Sequence, residues 1–462
     1  MQRALLTSTL SLLALGLCLS ASGQEASIEP ETDWASKEKA TRDLRNRLFK
    51  GETKFDSSDN NHKEAVEWVA KEATYRLYWY RSAALIRGPE AEKGTDDKKL
   101  RPPAILAELE SRLSQLHRTK DRGGVAAPFC RALGNRARDV ILSDSPIASV
   151  NAARVLFMIS ARSSFRGALA SPKEWAEEVL PRLGGDTGDH LLGILAELAA
   201  SPKVNQGAKY YVFRAMGDLL SLPRQSTPLV KKETEEKAHQ AVMTFLGNPP
   251  SFTLATGRDE LEGYKMLRAQ AVRALAAPGH WDLPSDKASL WLARIAGADG
   301  LVTPYPRLEE RIEAAVGLAR MINEGEKRHP DLAMDLAAHQ VGATVASLAS
   351  EAQPPDTKAV ARLRPWKVDA SRLLEAVEAM RVSKDAHVTQ VIEKCRPVLS
   401  DIEEGKEIGA AGTALRDWLI NNPAPSKALL RSDKASTIQP DRQPVARDDK
   451  GKDDKGKGGK EK

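Results

Sequence analysis

Two Glu-x-x-His spacings, Glu236 with His239 and Glu326 with His329, are the residues in this 462-residue chain whose types and separation could do metal chemistry. Three positions apart on a helix, a carboxylate and an imidazole share a face, the arrangement that di-iron bundles use. The second copy is preceded by Gly325 and followed by Pro330, which puts it at a helix end or in a loop, so no metal centre is expected. Acidic pairs occur at Glu177-Glu178, Glu309-Glu310 and Glu403-Glu404. Neighbours on a helix point about 100° apart and do not converge on one substrate by themselves. Glu309-Glu310, close to a helix start, is explained by the helix dipole. Gly451 to Lys457 spells G-x-x-x-x-G-K, but no Ser or Thr follows and no strand precedes it. HExxH, CxxC, GxSxG and a strand-bound GxGxxG are all absent from the sequence. The expectation is therefore no catalytic residue, no metal and no cofactor.

Aromatic residues are the other chemistry-bearing group, and they concentrate between Lys63 and Arg87, where Trp68, Tyr75, Tyr78, Trp79 and Tyr80 lie on one expected helix. Trp68, Tyr75 and Trp79 recur at spacings of seven and four and form a packing stripe. Tyr78 and Tyr80 point off that stripe, so these two are the candidate partner-binding residues. Beyond the first 23 residues only Cys130 and Cys395 remain. Two cysteines are no disulfide framework; they form one long-range bridge or stay as two buried thiols.

The elements that must position these residues read as helices separated by Pro and Gly breaks. Helices are expected over 35–49, 63–87, 104–116 and 127–142, with Asp144-Ser145-Pro146 opening the next. The stretch from Leu267 to Ala277 gives the pattern most clearly: Leu267, Ala271, Ala274 and Leu275 share a face, while Arg268, Gln270 and Arg273 point elsewhere. The same stripe recurs as Ala152, Val155, Leu156 and Ile159, and as Val212, Ala215, Met216 and Leu219. It returns as Ile312, Ala315, Val316 and Ala319, then as Ala370, Leu373, Leu374 and Val377. Successive copies stand 60, 59, 41 and 58 residues apart, and between them lie secondary helices, among them 233–246, 332–349, 388–402 and 410–420. A helix that recurs at such intervals cannot bury its stripe without a neighbour, which is the mark of a stacked helical repeat.

Arg268, Ala271, Val272, Ala274 and Leu275, with Arg311, Ala314, Ala315, Val316 and Leu318, carry a resemblance to the HEAT-like α-solenoids over roughly residues 147 to 421. Units of that family run about 40 to 47 residues, so three of the four intervals here are longer than the pattern. The resemblance implies an all-α fold, an irregular HEAT-like helical repeat array, with partner binding on its surface.

Residues 1–23 read as a signal peptide: Arg3 gives the positive end, Ala4 to Leu19 the apolar stretch, and Ala21-Ser22-Gly23 the cleavage site. Cys18 offers a lipoprotein alternative, but Leu17 stands where a lipobox wants a small residue. A polar segment with one helix over 24–61 follows, then an N-terminal helical region over 62–146, the repeat region over 147–425, and a disordered Lys/Asp/Gly-rich tail over 426–462. The net charge of +6 resides mostly in that tail, since residues from Lys427 onward contribute +4 and Arg3 another +1. What is left has almost no net field to steer a polyanion, which argues against nucleic acid as a partner.

The expected function is an exported, non-enzymatic scaffold in the periplasm, cell envelope or extracellular space, binding a protein or envelope component along stacked helices. It meets a membrane only if the N-terminus is uncleaved or lipidated. The alternatives are a secreted α/α-toroid enzyme acting on a polysaccharide, which an aromatic content of 5% disfavours, and a structural envelope protein.

Overall fold

A computed structural model describes residues 34–79, 102–118, 120–160, 180–221, 229–252, 257–277, 286–352, 366–406 and 408–438. The leader, Tyr80, Glu177-Glu178, the Gly451 to Lys457 run and the tail beyond residue 438 lie outside the described residues. The chain divides into two compact units, residues 1–194 with 201–211, and residues 195–200 with 212–462.

The first unit holds α1 (Trp34–Lys50), α2 (Asn60–Trp79), α3 (Pro102–Arg118), α4 (Ala126–Ile141), α5 (Pro146–Ser160) and the short α6 (Leu180–Leu183). It also takes most of α7 (Thr187–Ala200) and the start of α8 (Gln206–Leu220). Helix ends follow from capping chemistry. Gly51, at φ +72°, ends α1 in the left-handed region that glycine enters without steric cost. Asp121 Oδ1 accepts from the Val125 and Ala126 amides at 2.8 and 3.1 Å at the start of α4. Ser145 Oγ accepts from the Ala148 amide at the start of α5, as the Asp-Ser-Pro sequence leads one to expect. Helix α2 is central here, packing on α1, α3, α4 and α5.

The second unit continues with α9 (Lys232–Gly247), α10 (Arg258–Leu275), α11 (Asp286–Ala296), α12 (Leu308–Glu324), α13 (Met334–Ala352), α14 (Trp366–Ala379), α15 (Ala386–Glu404) and α16 (Gly409–Asn421). Successive helices pair, α9 with α10, α11 with α12 and α14 with α15, and next-but-one neighbours also meet, α10 on α12, α11 on α13, α12 on α14 and α13 on α15. Each helix thus spends its apolar face on close sequence neighbours, which is the packing logic of a one-dimensional array. Every residue of the five repeated stripes is buried except Leu374, which is half-buried. Helix α12 is enclosed nearly all round, with Leu308, Ile312, Ala315, Leu318 and Ile322 all buried. Small residues make this possible: a Cβ added at Gly317 of α12 would stand 2.7 Å from the Ala276 Cβ, at the end of α10.

The structure corrects only the first residues assigned to the tail. Residues 426–438, read from sequence as its polar beginning, carry an antiparallel hairpin of β1 (Ala428–Leu430) and β2 (Asp433–Thr437), with Leu430 opposite Asp433. Leu429 and Leu430 are buried, and the hairpin is pinned by main-chain hydrogen bonds, Ala333 N to Leu429 O at 2.7 Å and Arg431 N to Asp331 O at 2.8 Å. Ser436 Oγ takes up the Leu430 amide at 2.8 Å. Two adjacent leucines give no alternation for a strand to announce itself, so docking rather than pattern fixes the hairpin. No helix among the described residues is long and apolar enough to cross a membrane.

Candidate interaction surface

The two expected tyrosines differ in what can be said of them. Tyr78, near the end of α2, is half-buried, and its hydroxyl donates to Asp144 Oδ1 at 3.0 Å, in the link between α4 and α5. That carboxylate, by holding the phenol proton, and partial burial raise the Tyr78 pKa. Trp68 and Tyr75 are buried, as their stripe requires. The Tyr75 hydroxyl meets Asp139 Oδ2 at 3.2 Å, and Arg136 joins it to Glu67, whose Oε2 accepts from Arg136 Nε at 3.0 Å. Tyr75, one turn before Tyr78 on α2, thus belongs to a row of groups from α2 and α4 whose side chains hold one another.

Between α2 and α3 lies a small cleft lined by Val69, Glu72, Arg76, Ile105, Glu108 and Arg112. Glu72 receives Arg45 and Arg112, and Glu108 receives Arg76 at 3.1 Å and Arg112 at 3.0 Å. Burial raises the Glu108 pKa, but the two guanidiniums outweigh it and leave the pKa lowered.

Neither Glu-x-x-His spacing closes on a metal. Glu236 is exposed while His239 is buried, and burial drives the His239 pKa down to about 4. His329 takes Glu324 at 3.1 Å, and Glu326 turns to Arg431. No group of three or more potential metal ligands occurs among the described residues. Cys130 and Cys395 are both free, buried thiols whose pKa values burial pushes up to about 12. Of the acidic pairs, Glu403 and Glu404 are exposed, with Glu404 next to Lys406, and Glu309-Glu310 splits, Glu309 outward and Glu310 fully inward.

Two clusters escaped the sequence reading. Arg268, expected to point away from the stripe, is only 1% exposed. It grips the fully buried Glu310 through Nε to Oε1 at 3.3 Å and Nη2 to Oε2 at 2.8 Å, tying α10 to α12. Glu310 also accepts the Arg307 amide at 3.0 Å, so helix capping and ion pairing share one carboxylate. Burial raises the Glu310 pKa against the opposing pull of Arg268. The signal was present but misread: the inward face of α10 includes Tyr264, Arg268 and Val272 as well as the stripe, so it is wider than four positions per two turns.

The second cluster joins α13, α15 and α16. His339 Nδ1 stands 3.3 Å from His387 Nε2, with the rings stacked at 5.6 Å and 21°. The indole of Trp418 continues the stack on His387 at 5.8 Å and 23°. Burial, then the neighbouring His387, lower the His339 pKa to about 4, with Asp335 acting in the opposite sense. These residues lie 48 and 31 positions apart, and no local spacing links them.

No protein-family model matches the chain, and no curated protein matches it.

Proposed function

We propose that this chain is an exported, non-enzymatic scaffold of HEAT-like stacked helices that binds a protein or envelope component along the surface its helix pairs present. The observation carrying this reading is the fate of the repeated stripe. Its residues are spent on neighbouring helices in sequential pairs, so what a partner meets is the outer set of side chains. The Tyr78 neighbourhood suits such contact. A rigid aromatic with few rotamers to lose is held by Asp144, one helical turn beyond Tyr75 of the Arg136, Glu67 and Asp139 network. The HEAT-like resemblance and the signal-like leader supply the remaining support.

The test is photocrosslinking in intact cells from a reactive aromatic placed at position 78. The scaffold reading expects a discrete protein or envelope adduct that is lost when Arg136 and Glu67 are both changed to Ala. A chain that instead hydrolyses a polysaccharide, with no adduct from this position, would overturn it.

A further inference from the structure

The His339–His387–Trp418 stack sits where the last helix of the array meets its neighbours. Helix α16 packs on both α13 and α15, and Trp418 is its contribution to the cluster. One turn before His339 on α13, Asp335 Oδ2 accepts the Ser426 amide at 2.6 Å, at the point where the chain leaves α16 for the β1–β2 hairpin. The two imidazoles and the C-terminal anchor are therefore connected through a single carboxylate and a single indole.

We propose that the facing imidazoles of His339 and His387 form an acid-sensitive latch that holds α16 and the C-terminal hairpin against α13 and α15. One proton on the line between Nδ1 and Nε2 makes a hydrogen bond, with one ring donating and the other accepting. Protonation of His339 fixes its Nδ1 as a donor, and wherever His387 Nε2 also carries its hydrogen two donors face each other at 3.3 Å. Protonated His339 also draws Asp335, whose charge favours the imidazolium, away from the Ser426 amide.

The charged groups around the pair leave this logic intact. From α13 the carboxylate is Asp335; from α15 it is Asp385, occupied in capping the His387 and Val388 amides at 2.8 and 3.0 Å. From α16 the contact is the uncharged Trp418, while Arg416 turns to Ser350 and Asp417, Lys384 and Lys427 are exposed. A folded-state pKa of about 4 at His339, against 6.5 when free, means that the opened form takes up the proton first as pH falls. This inference goes beyond the scaffold reading and does not depend on it.

Hydrogen exchange of the full chain, followed by mass spectrometry with correction for intrinsic rates, tests the latch. Between pH 7 and pH 5, opening of 409–438 is expected to rise by about tenfold, a figure reduced from the full shift because His339 is part-exposed. His339→Gln, which keeps a neutral hydrogen-bonding side chain, is expected to remove that rise and leave α9 to α12 as in the parent. Trp418→Phe, which keeps a stacking face, is expected to retain the acid dependence. Equal acid dependence in the parent and His339→Gln, or protection of 409–438 that does not change with pH in the parent, would overturn the proposal.

Discussion

A carboxylate with no exposed surface persists at Glu310 because Arg268 meets it with two nitrogens and the Arg307 amide with a third donor. Removing one partner strands a buried charge, so Arg268→Ala or Glu310→Ala is expected to destabilise the second unit by ~3–5 kcal/mol in urea unfolding. The double change Arg268→Met with Glu310→Leu is expected to recover most of that loss, because an apolar pair of similar volume has no desolvation to offset. His239 gives a pH signature of its own. Its pKa is about 4 in the folded chain and 6.5 when free, so its contribution is complete above pH 6.5 and is lost as pH falls through about 4. The loss should amount to ~2–3 kcal/mol, and His239→Leu should flatten it in unfolding curves taken at pH 7, 5.5 and 4. The thiols of Cys130 and Cys395 are buried and held protonated, so maleimide labelling of the native chain should be negligible and should appear only with global unfolding.

At the scale of elements, the helices were legible because their apolar residues keep a 3.6-residue period between Pro and Gly breaks. Sequence placed one helix at 233–246 and the structure at 232–247; for the last helix the ranges are 410–420 and 409–421. What the period could not reveal is contact between elements. The Arg268–Glu310 grip spans 42 positions and the His339–His387 contact 48, so each exists only once α10 meets α12 and α13 meets α15. The β1–β2 hairpin was missed for a related reason, since its buried pair Leu429-Leu430 gains a partner only on the 331–333 segment. Close approach at α12 gives the element-scale prediction. Gly317→Val adds atoms where a Cβ alone would stand 2.7 Å from Ala276, so urea midpoints should fall by an amount equivalent to ~1–3 kcal/mol.

At the scale of the whole molecule, sixteen helices among the described residues pack in sequential pairs, in keeping with the recurring stripe and the helices read between its copies. The candidate surface was half legible. Tyr78 was singled out because it leaves the packing stripe, but its partner Asp144 is 66 positions away and only folding brings them together. The central claim is that the outer faces of these helix pairs serve to bind a partner. Crosslinking from position 78 in intact cells tests it most directly, read against the same reactive group placed at buried position 133. The account predicts a discrete protein or envelope adduct from position 78 and none from position 133; equal labelling from both, or none from 78 in cells that express the chain at its normal level, would contradict it.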